Sequence, residues 1–468
     1  MIMRRLYLKA LLFLGIIGGI IWAIDLSGMF NPDMENFHEK DQWDSFYKFT
    51  ESNDVDVLLV GNSHLYTGIN PNHLSCILGA NCFILASPGT TITDSYYALK
   101  EGLSKCDPKV VVVETYGVSQ TRIRELTGGE LTSEFRSFSS RKSILRKLAS
   151  MPFLFSIDNY LSALSASIRG HDMIFKDTEL IKKNLDGKNT PFKPKSLNLG
   201  RFTRFTTGIT DKTERLYDEE GAVVDGNKFR VNKENYQTVR RIERLCERRG
   251  IDLVFLTLPM YEKHVENYSS WQTIMSRVIG PGQKWLDLQS PYDHELFTRE
   301  CFEDTRNSNQ HMTAMGALIA DYKLADYIID EVKPELPDRS KSRDWRQMFY
   351  SEKGYFENYT IESVDNWNFL LCRNVDVMGI LVKDCVFLPY GNGQAQVFMR
   401  VDKKTDIALL KDGLELFMRV VTEEGESRSR LVVRMTPGIN PRGHYSLSSE
   451  MMEMSRPKSI ELEYIDFP

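Results

Sequence analysis

The sequence predicts an α/β protein with a flavodoxin-like, three-layer parallel sheet, an N-terminal membrane anchor helix and a C-terminal all-β domain. Three observations support this fold class. Short apolar runs alternate with amphipathic helical segments, an uncharged apolar stretch follows basic residues near the N-terminus, and β-branched segments follow a polar linker. The length of 468 residues favours more than one folded unit.

The composition excludes several classes of protein. Hydrophobic residues make up 42% and charged residues 26%, which is typical of globular proteins and excludes a largely disordered chain. The net charge is only −5, and no basic tract interleaved with aromatics occurs, so nucleic acid is not an expected partner. The seven cysteines include no C-x-x-C pair, which argues against a zinc or thioredoxin-like site. Buried free thiols are expected, although Cys76 and Cys82 are near enough in the chain for a local bridge.

The N-terminal segment predicts a signal anchor. An uncharged apolar run, 10–24, follows basic residues and is closed by Asp25. As a helix this run is about 22 Å long, and residues 6–8 extend it towards the roughly 30 Å of a hydrocarbon core if Lys9 snorkels. No A-x-A-like cleavage site follows, which favours an uncleaved anchor over a cleaved signal peptide. We therefore predict an anchor over residues 1–30, with 6–26 in the membrane. The basic flank places the rest in the periplasm or outside the cell.

Five short runs are predicted to form the parallel sheet. They are nearly continuous apolar stretches rather than alternating ones, a pattern typical of strands covered on both faces. The runs are 54–61, 82–87, 110–115, 252–258 and 284–288. Helical segments with one apolar stripe, such as 93–105 and 233–249, lie between them and predict the layers on either side.

Two further regions complete the predicted organisation. The α/β domain spans residues 31–335, with a mostly helical insertion at about 120–200 that could line a substrate cleft. A polar, proline-containing linker follows it. Residues 345–468 then predict a β-rich appendage, either a sandwich or a jelly roll, and a candidate glycan-binding module.

The first strand runs into Gly61-Asn62-Ser63-His64. A small nucleophile just beyond the carboxyl end of the first parallel strand lies where open α/β sheets place their active sites. The glycine permits a sharp turn, and free N–H groups at a following helix start can stabilise an oxyanion. Serine at such a position also serves as a helix N-cap, so the pattern alone does not define a nucleophile.

A second motif lies near the end of the α/β domain, where residues 307–317 read NSNQHMTAMGA. A loop histidine, His311, precedes Thr313 as N-cap of a helix with an early Gly-Ala. Together with GNSH, this pattern resembles the SGNH (GDSL-like) hydrolase superfamily over roughly residues 50–335. The closest likeness is to its extracytoplasmic polysaccharide O-acetyltransferase and esterase branch, which includes alginate O-acetylation and teichoic acid D-alanyl-transfer proteins.

The resemblance implies specific roles. Ser63 would attack an ester carbonyl, and His311 would take its proton. Gly89, in the Ser87-Pro88-Gly89 block after the second strand, would supply an oxyanion-hole N–H together with that of Ser63. Neither a metal nor an organic cofactor is implied.

The sequence departs from the family pattern at the acid of the triad. The family's acid lies three residues before the histidine, and this position is Ser308 here. Asn307 or a backbone carbonyl could orient the imidazole instead, or Asp304 could reach it from earlier in the loop.

The third block also departs from the family. Residues 114–117 read ETYG and lack the usual asparagine donor, for which Asn62 is the nearest substitute. His64 is a weaker candidate for the base, because neighbouring side chains in such a turn usually point apart.

The sequence thus predicts serine-dependent O-acyl (acetyl) transfer or ester hydrolysis on a cell-surface or secreted polysaccharide, through a Ser63 acyl-enzyme. A lipase or acylesterase acting on small or lipid esters is an alternative. A non-catalytic scaffold of a glycan-modifying complex is another, because position 308 lacks a carboxylate. The expected partners are the polysaccharide or other ester substrate, the membrane through 6–26 and a membrane-bound acyl-transfer protein.

Overall fold

The structure is a computed structural model that describes residues 2–32, 38–119, 125–188, 224–261, 265–290, 297, 299–302, 311–339, 342, 369–389, 394–435, 444–450, 452–453 and 457–466. Its α-helices are α1 (Ile2–Leu26), α2 (His38–Phe49), α3 (Ser63–Gly68), α4 (Pro71–Leu78), α5 (Ile92–Gly102), α6 (Gly128–Ser140), α7 (Ile144–Leu154), α8 (Tyr160–Leu164), α9 (Ala166–Arg169), α10 (Met173–Lys176), α11 (Thr178–Leu185), α12 (Lys233–Arg249), α13 (Tyr268–Ile279) and α14 (Ala314–Tyr327).

The strands fall into a parallel group, a short pair and an antiparallel group. The parallel group is β1 (Val57–Gly61), β2 (Cys82–Ala86), β3 (Val110–Glu114), β5 (Asp252–Thr257) and β7 (Lys284–Asp287). The short pair is β4 (Val224–Asp225) with β6 (Val265–Glu266). The antiparallel group is β8 (Phe369–Val377), β9 (Ile380–Pro389), β10 (Gln394–Asp402), β11 (Leu414–Thr422), β12 (Glu426–Met435), β13 (His444–Ser449), β14 (Met452–Glu453) and β15 (Pro457–Asp466).

The parallel sheet confirms the predicted α/β architecture. Its order is β2-β1-β3-β5-β7, and all neighbouring pairs are parallel. Every residue of β1, β2 and β3 is buried, as their continuous apolar sequences predicted. In chain order the five strands run 2-1-3-4-5, the order of flavodoxin-like doubly wound sheets.

A core lies on each face of this sheet because successive side chains of a strand point to opposite sides. Leu58 and Val60 face a core built with α2, α5, α12 and α13. Val57 and Leu59 face a second core built with α3, α4 and α14. Burial of one such aliphatic side chain contributes about 1.5–3 kcal/mol, so the two cores hold the central strand from both sides.

Helices α6–α11 lie between β3 and β5 in the chain, within the segment for which a helical insertion was predicted. The N-terminal part of this insertion packs around a small aromatic core that contains Phe135, Phe138 and Phe155. Residues 120–124 and 189–200 of the predicted insertion lie outside the described ranges.

The C-terminal strands form one antiparallel sheet in the order β15-β11-β12-β13-β10-β9-β8, with β14 paired to β10. The two edge strands, β15 and β8, lie against each other, so that the sheet nearly closes into a barrel. The expectation of an all-β domain is confirmed. The expectation of two stacked sheets is wrong for the described strands, because the buried side of the single sheet packs onto itself across the nearly closed barrel.

Helix α1 contains a span, Leu6–Leu26, of 21 residues with a mean hydropathy of 2.0 and no buried residues. By length and composition this helix can cross a membrane or act as a signal sequence. Of the two cysteines for which the sequence left a local bridge open, Cys82 is buried, and the side chain of Cys76 lies outside what the structure describes.

Candidate active site

The chain turns sharply where β1 meets α3, and Gly61 permits this turn. A Cβ at residue 61 would lie 2.7 Å from Glu114 Cβ and 3.2 Å from Leu65 Cβ. Strand β1 therefore ends in close contact with the end of β3, and only a residue without a side chain fits between them. This contact places the end of β3 beside Gly61, two residues before the candidate nucleophile.

Asn62 is the N-cap of α3. Its side-chain Oδ1 accepts a hydrogen bond of 3.0 Å from the His64 N–H, which satisfies one of the free donors of the first helical turn. Ser63 is the first residue of α3 and is almost fully buried. Its N–H has no acceptor within the helix because it belongs to the first turn. That N–H is therefore suited to bind a negatively charged oxygen.

The structure brings His64 and His311 together. Their ring centroids lie 5.8 Å apart in an edge-to-face arrangement. The other neighbour of the His64 ring is Tyr116, which stacks on it at 4.0 Å with an interplanar angle of 17°. Burial, and next the charge on His311, lower the pKa of His64 to about 3. The His64 imidazole is therefore neutral at physiological pH.

His311 is held against α3 by the residues that follow it. Met312 forms a β-bridge with Phe302, and the Thr313 N–H donates to the Cys301 carbonyl at 2.9 Å. Met312 Sδ would lie 3.3 Å from a Cβ placed at Gly68, the last residue of α3. This contact explains how a loop so late in the chain reaches the end of β1.

Thr313 is the N-cap of α14, as the sequence predicted, and its side chain accepts from the Gly316 N–H. A Cβ at Gly316 would lie 2.5 Å from the Cys301 carbonyl oxygen. The early glycine of the NQHMTAMGA motif therefore allows the start of α14 to lie against the short helix Arg299–Cys301.

Glu114, at the carboxyl end of β3, is fully buried beside Gly61. Its Oε1 accepts a hydrogen bond of 2.6 Å from the Tyr116 N–H. Burial raises the pKa of Glu114 to about 8, against the backbone hydrogen bonds that favour the carboxylate. A protonated Glu114 side chain can donate a hydrogen bond as well as accept one.

The Gly89 turn lies at the edge of the same site. Gly89 has a φ of +59°, and no heavy atom lies within 4 Å of a Cβ built there. The neighbouring Thr90 hydroxyl donates to the Ser87 carbonyl at 2.9 Å and approaches the Gly61 carbonyl at 3.5 Å. The next residue, Thr91, donates its N–H to Glu134 of α6 at 3.0 Å. The helical insertion thus supports the turn from behind.

Three buried polar atoms near Ser63 have no hydrogen-bond partner among the described residues. They are Asn62 Nδ2, His64 Nε2 and Glu114 Oε2. Buried polar atoms are nearly always paired in folded proteins, so this concentration at one place indicates a site that water or a ligand fills. Asn62 Nδ2 is the donor that the sequence suggested in place of the family's usual asparagine.

The remaining predicted orienting residues, Asp304, Asn307 and Ser308, lie outside the described residues. Sequence reasoning missed the stacking of Tyr116 on His64, and for Glu114 it left open a buried carboxylate at a strand end or a loop anchor. Their position at the end of a parallel strand was a usable signal, because such ends meet at one edge of a sheet. Within the described ranges, no group of three or more His, Cys, Asp or Glu side chains could hold a metal ion.

The arrangement combines a hydroxyl, two imidazoles and amide donors around the end of β1. Such a set can transfer a proton from the hydroxyl and stabilise a developing oxyanion. It has the components for nucleophilic attack on a carbonyl carbon.

Comparisons with known proteins add little to this description. No family model matches the chain, and no curated protein sequence matches it. The chain is similar to the crystal structure of a two-domain esterase active on acetylated mannans, co-crystallised with mannopentaose. The sequence identity is 8% and the TM-score is 0.29, over 89% of this chain and 91% of that chain. A TM-score this low carries no argument about fold or activity.

Proposed function

We propose that the protein is a serine-dependent hydrolase or O-acyltransferase of the SGNH type, with Ser63 as nucleophile and His311 as general base. The observation that carries this proposal is the meeting of two distant sequence motifs. The buried Ser63–His64 turn and the His311 loop lie together, with the two imidazole centroids 5.8 Å apart.

In the proposed reaction, Ser63 Oγ attacks the carbonyl carbon of an ester while His311 takes the hydroxyl proton. The N–H groups of Ser63 and Gly89 and the Asn62 side-chain amide bind the oxyanion of the tetrahedral intermediate. When the intermediate collapses, the ester C–O bond breaks and the leaving alcohol takes the proton from His311. The acyl group remains on Ser63.

In the second half of the reaction, His311 takes a proton from the incoming nucleophile, which attacks the acyl carbon. The bond between that carbon and Ser63 Oγ then breaks, and Ser63 Oγ takes the proton back from His311. Water as the nucleophile gives hydrolysis, whereas a sugar hydroxyl gives acyl transfer. The resemblance to the polysaccharide-modifying branch of the SGNH superfamily favours an acylated glycan as substrate or acceptor. The apolar α1 helix is consistent with an enzyme held at a membrane.

His64 has a positioning role in this proposal. Its neutral ring lies between Tyr116 and His311 and adds no positive charge beside the imidazolium that forms on His311. An imidazolium next to a second cation would be harder to form, so a neutral neighbour favours proton uptake.

The test is mass spectrometry of the full chain in detergent after incubation with a fluorophosphonate and, separately, with an activated acetyl ester. We expect an adduct on Ser63 in the unsubstituted protein, none in Ser63→Ala, and adduct formation slowed by roughly a thousandfold in His311→Ala. Ser133→Ala is the matched control, because the Ser133 hydroxyl donates to the Gly129 carbonyl of its own helix.

Turnover of acetylated oligosaccharides then measures the reaction itself. An adduct on a residue other than Ser63, or full turnover by a folded Ser63→Ala variant, contradicts the proposal. Release of free acetate identifies hydrolysis, and acetate found on a second oligosaccharide identifies transfer.

A further inference from the structure

The end of α1 is bound tightly to the helical insertion. Asp25, one residue before the last residue of α1, accepts a hydrogen bond of 2.7 Å from the Ser167 N–H of α9. The Asn184 side-chain amide, on α11, donates to the Met29 and Asn31 carbonyls at 2.9 and 3.0 Å. The insertion is therefore fixed at the point where the apolar helix ends.

This part of the insertion exposes an unusual number of large apolar side chains. Phe175 is 87% exposed, Ile157 77% and Leu161 65%. We define the apolar set as these three residues together with Leu164, Ile174 and Leu185, which are also exposed. Concentrations of exposed apolar surface mark interaction sites in soluble and membrane-associated proteins.

The spacing of the apolar set indicates that its side chains share one surface rather than being scattered. Leu161 and Leu164 lie three residues apart on α8, a spacing that places both side chains on one side of that helix, and Ile157 begins the short 3₁₀-helix that leads into α8. The opposite residue of α8, Ala163, is buried against the insertion's core. Helix α8 thus exposes Leu161 and Leu164, although the packing of its buried side does not require large apolar residues at these positions.

The set also lies close to the end of the apolar helix. Leu185 follows Asn184 directly, and Leu164 precedes Ser167 by three residues, or about 10 Å of extended chain at most. A Cβ at Gly170, shortly before Ile174, would lie 3.5 Å from the Phe30 Cβ. An interfacial helix buries its apolar face about 5–10 Å into the headgroup and acyl boundary, and this depth is within reach of the set.

Charge does not account for the exposure. Residues 157–188 contain five Lys and Arg and five Asp and Glu, so the segment has no net charge. An electrostatic attraction to anionic lipid or to a charged partner is therefore not the main force. The apolar side chains themselves are the feature that needs a partner.

We propose that the apolar set lies in the interfacial layer of the bilayer that α1 spans, on the side where α1 ends, so that the insertion rests on the membrane and fixes the orientation of the α/β domain. This inference rests on the retention of α1 as a membrane anchor. The bilayer is the partner of the apolar set because the set belongs to the segment that is hydrogen-bonded to the end of the membrane-spanning helix.

The test places an environment-sensitive fluorophore on single introduced cysteines, Phe175→Cys and Leu161→Cys, in the full chain reconstituted in neutral phosphatidylcholine nanodiscs. Met378→Cys is the matched control, since Met378 is an apolar residue of the C-terminal domain that is 83% exposed. The unsubstituted protein measures background labelling of the native thiols, among which Cys106 and Cys372 are partly exposed. A probe at Leu14→Cys, read with lipids that carry a nitroxide on the acyl chain, reports whether α1 itself is embedded.

We expect lipids with a headgroup nitroxide to quench the probes at residues 175 and 161 at least about threefold more than the probe at 378. Iodide in the water should instead quench the probe at residue 378 more than those at residues 175 and 161. The quenching by lipid should change little with salt concentration. The proposal is overturned if the probe at 14 is quenched by lipid while those at 175 and 161 remain as open to iodide as that at 378. Protection from both quenchers also overturns it, because a protein would then cover the set.

Failure of the anchor gives a different result. If lipid does not quench the probe at residue 14, α1 is not embedded and the proposal fails with it. Acylation of Ser63 is measured separately and does not depend on this outcome.

Discussion

At the scale of single residues, the turn after β1 gives three neighbours three different environments. Asn62 caps α3 with its oxygen, and its Nδ2 has no hydrogen-bond partner in the described parts of the chain. Ser63 begins the helix, and His64 is buried between Tyr116 and His311. The oxygen of the Asn62 side-chain amide thus caps α3, and the nitrogen of the same amide is the proposed oxyanion donor. A substitution at residue 62 can separate them.

We predict that Asn62→Ser keeps the cap but lowers turnover by about 10²–10³-fold, because serine accepts from the His64 N–H but lacks the amide donor. Asn70→Ser is the matched control, since Asn70 caps α4 through the same kind of hydrogen bond, from the Asn72 N–H. Urea unfolding and steady-state kinetics of both variants give the answer. Equal turnover in the two variants would remove Asn62 from the oxyanion site.

Glu114 provides a prediction about pH. Its folded-state pKa of about 8 lies above the ordinary value of 4.5, because burial disfavours the carboxylate. As pH rises between these two values, the unfolded chain loses this proton while the folded chain retains it. The free energy of unfolding therefore falls over this window, and the contribution of Glu114 is fully present only below it.

We predict that Glu114→Gln, which keeps the acceptor for the Tyr116 N–H, removes this contribution. The difference in unfolding free energy between variant and unsubstituted protein should grow in favour of the variant, by up to about 1.4 kcal/mol per pH unit between the two pKa values. Urea unfolding across that range measures it. Parallel pH profiles for the two proteins would mean that Glu114 is ionised in the folded state.

At the scale of elements, the site depends on how closely strand and helix ends approach each other. β1 and β3 meet at Gly61 and Glu114, and the loop after β3 meets the start of α5 at Gly117, where a Cβ would lie 2.9 Å from the Ile92 nitrogen. Met312 packs against Gly68, the last residue of α3. Substitutions that add volume at these contacts should move the active site without touching a reactive group.

We predict that Gly61→Ala destabilises the fold by about 1–3 kcal/mol and lowers turnover, because its Cβ would push β1 and α3 away from Glu114. Gly129→Ala in α6 is the matched control. A Cβ meets no atom there, and we expect a change of no more than about 1 kcal/mol. Thermal unfolding and kinetics test both variants; unchanged stability of Gly61→Ala would mean that the strand ends have room to separate.

At the scale of the whole molecule, a buried network joins the α/β domain to the C-terminal sheet. Arg400 of β10 binds Asp384 of β9, with Nη2 2.7 Å from Oδ2, and stacks over the Tyr322 ring of α14. The Tyr322 hydroxyl donates to Asp384 at 2.9 Å, and Arg400 lies 3.6 Å from Asp326 of the same helix. Burial alone would raise the pKa of Asp384, but the charge and hydrogen bonds of Arg400 lower it to about 2.

We predict that Arg400→Met destabilises the protein by about 3–5 kcal/mol, because it leaves the Asp384 carboxylate buried without its cation. The double variant Arg400→Met with Asp384→Leu should recover much of this loss. Arg428→Met is the matched control; the ion pair of Arg428 with Glu463 is largely exposed, and its removal should cost less than about 1 kcal/mol. A small effect of Arg400→Met in urea unfolding would show that the network adds little to domain docking.

The amino-acid sequence by itself determined the class of the fold and the candidate nucleophile and base. The five parallel strands, the apolar first helix and the all-β character of the C-terminal part follow from local patterns of burial that each segment carries alone. Ser63 and His311 were found because each lies in a short motif whose residues are neighbours in the chain.

Only the tertiary structure decided which distant residues meet. The approach of His64 to His311, of Gly61 to Glu114 and of Arg400 to Tyr322 joins residues far apart in sequence, and each depends on the packing of several elements. The direction of a side chain at a turn is also set by its neighbours in space, so the sequence could not place the His64 ring between Tyr116 and His311. Likewise, the C-terminal strands fit a sandwich or a barrel by local pattern alone. The approach of the two edge strands β15 and β8 to each other, which no local pattern specifies, decided for the nearly closed sheet.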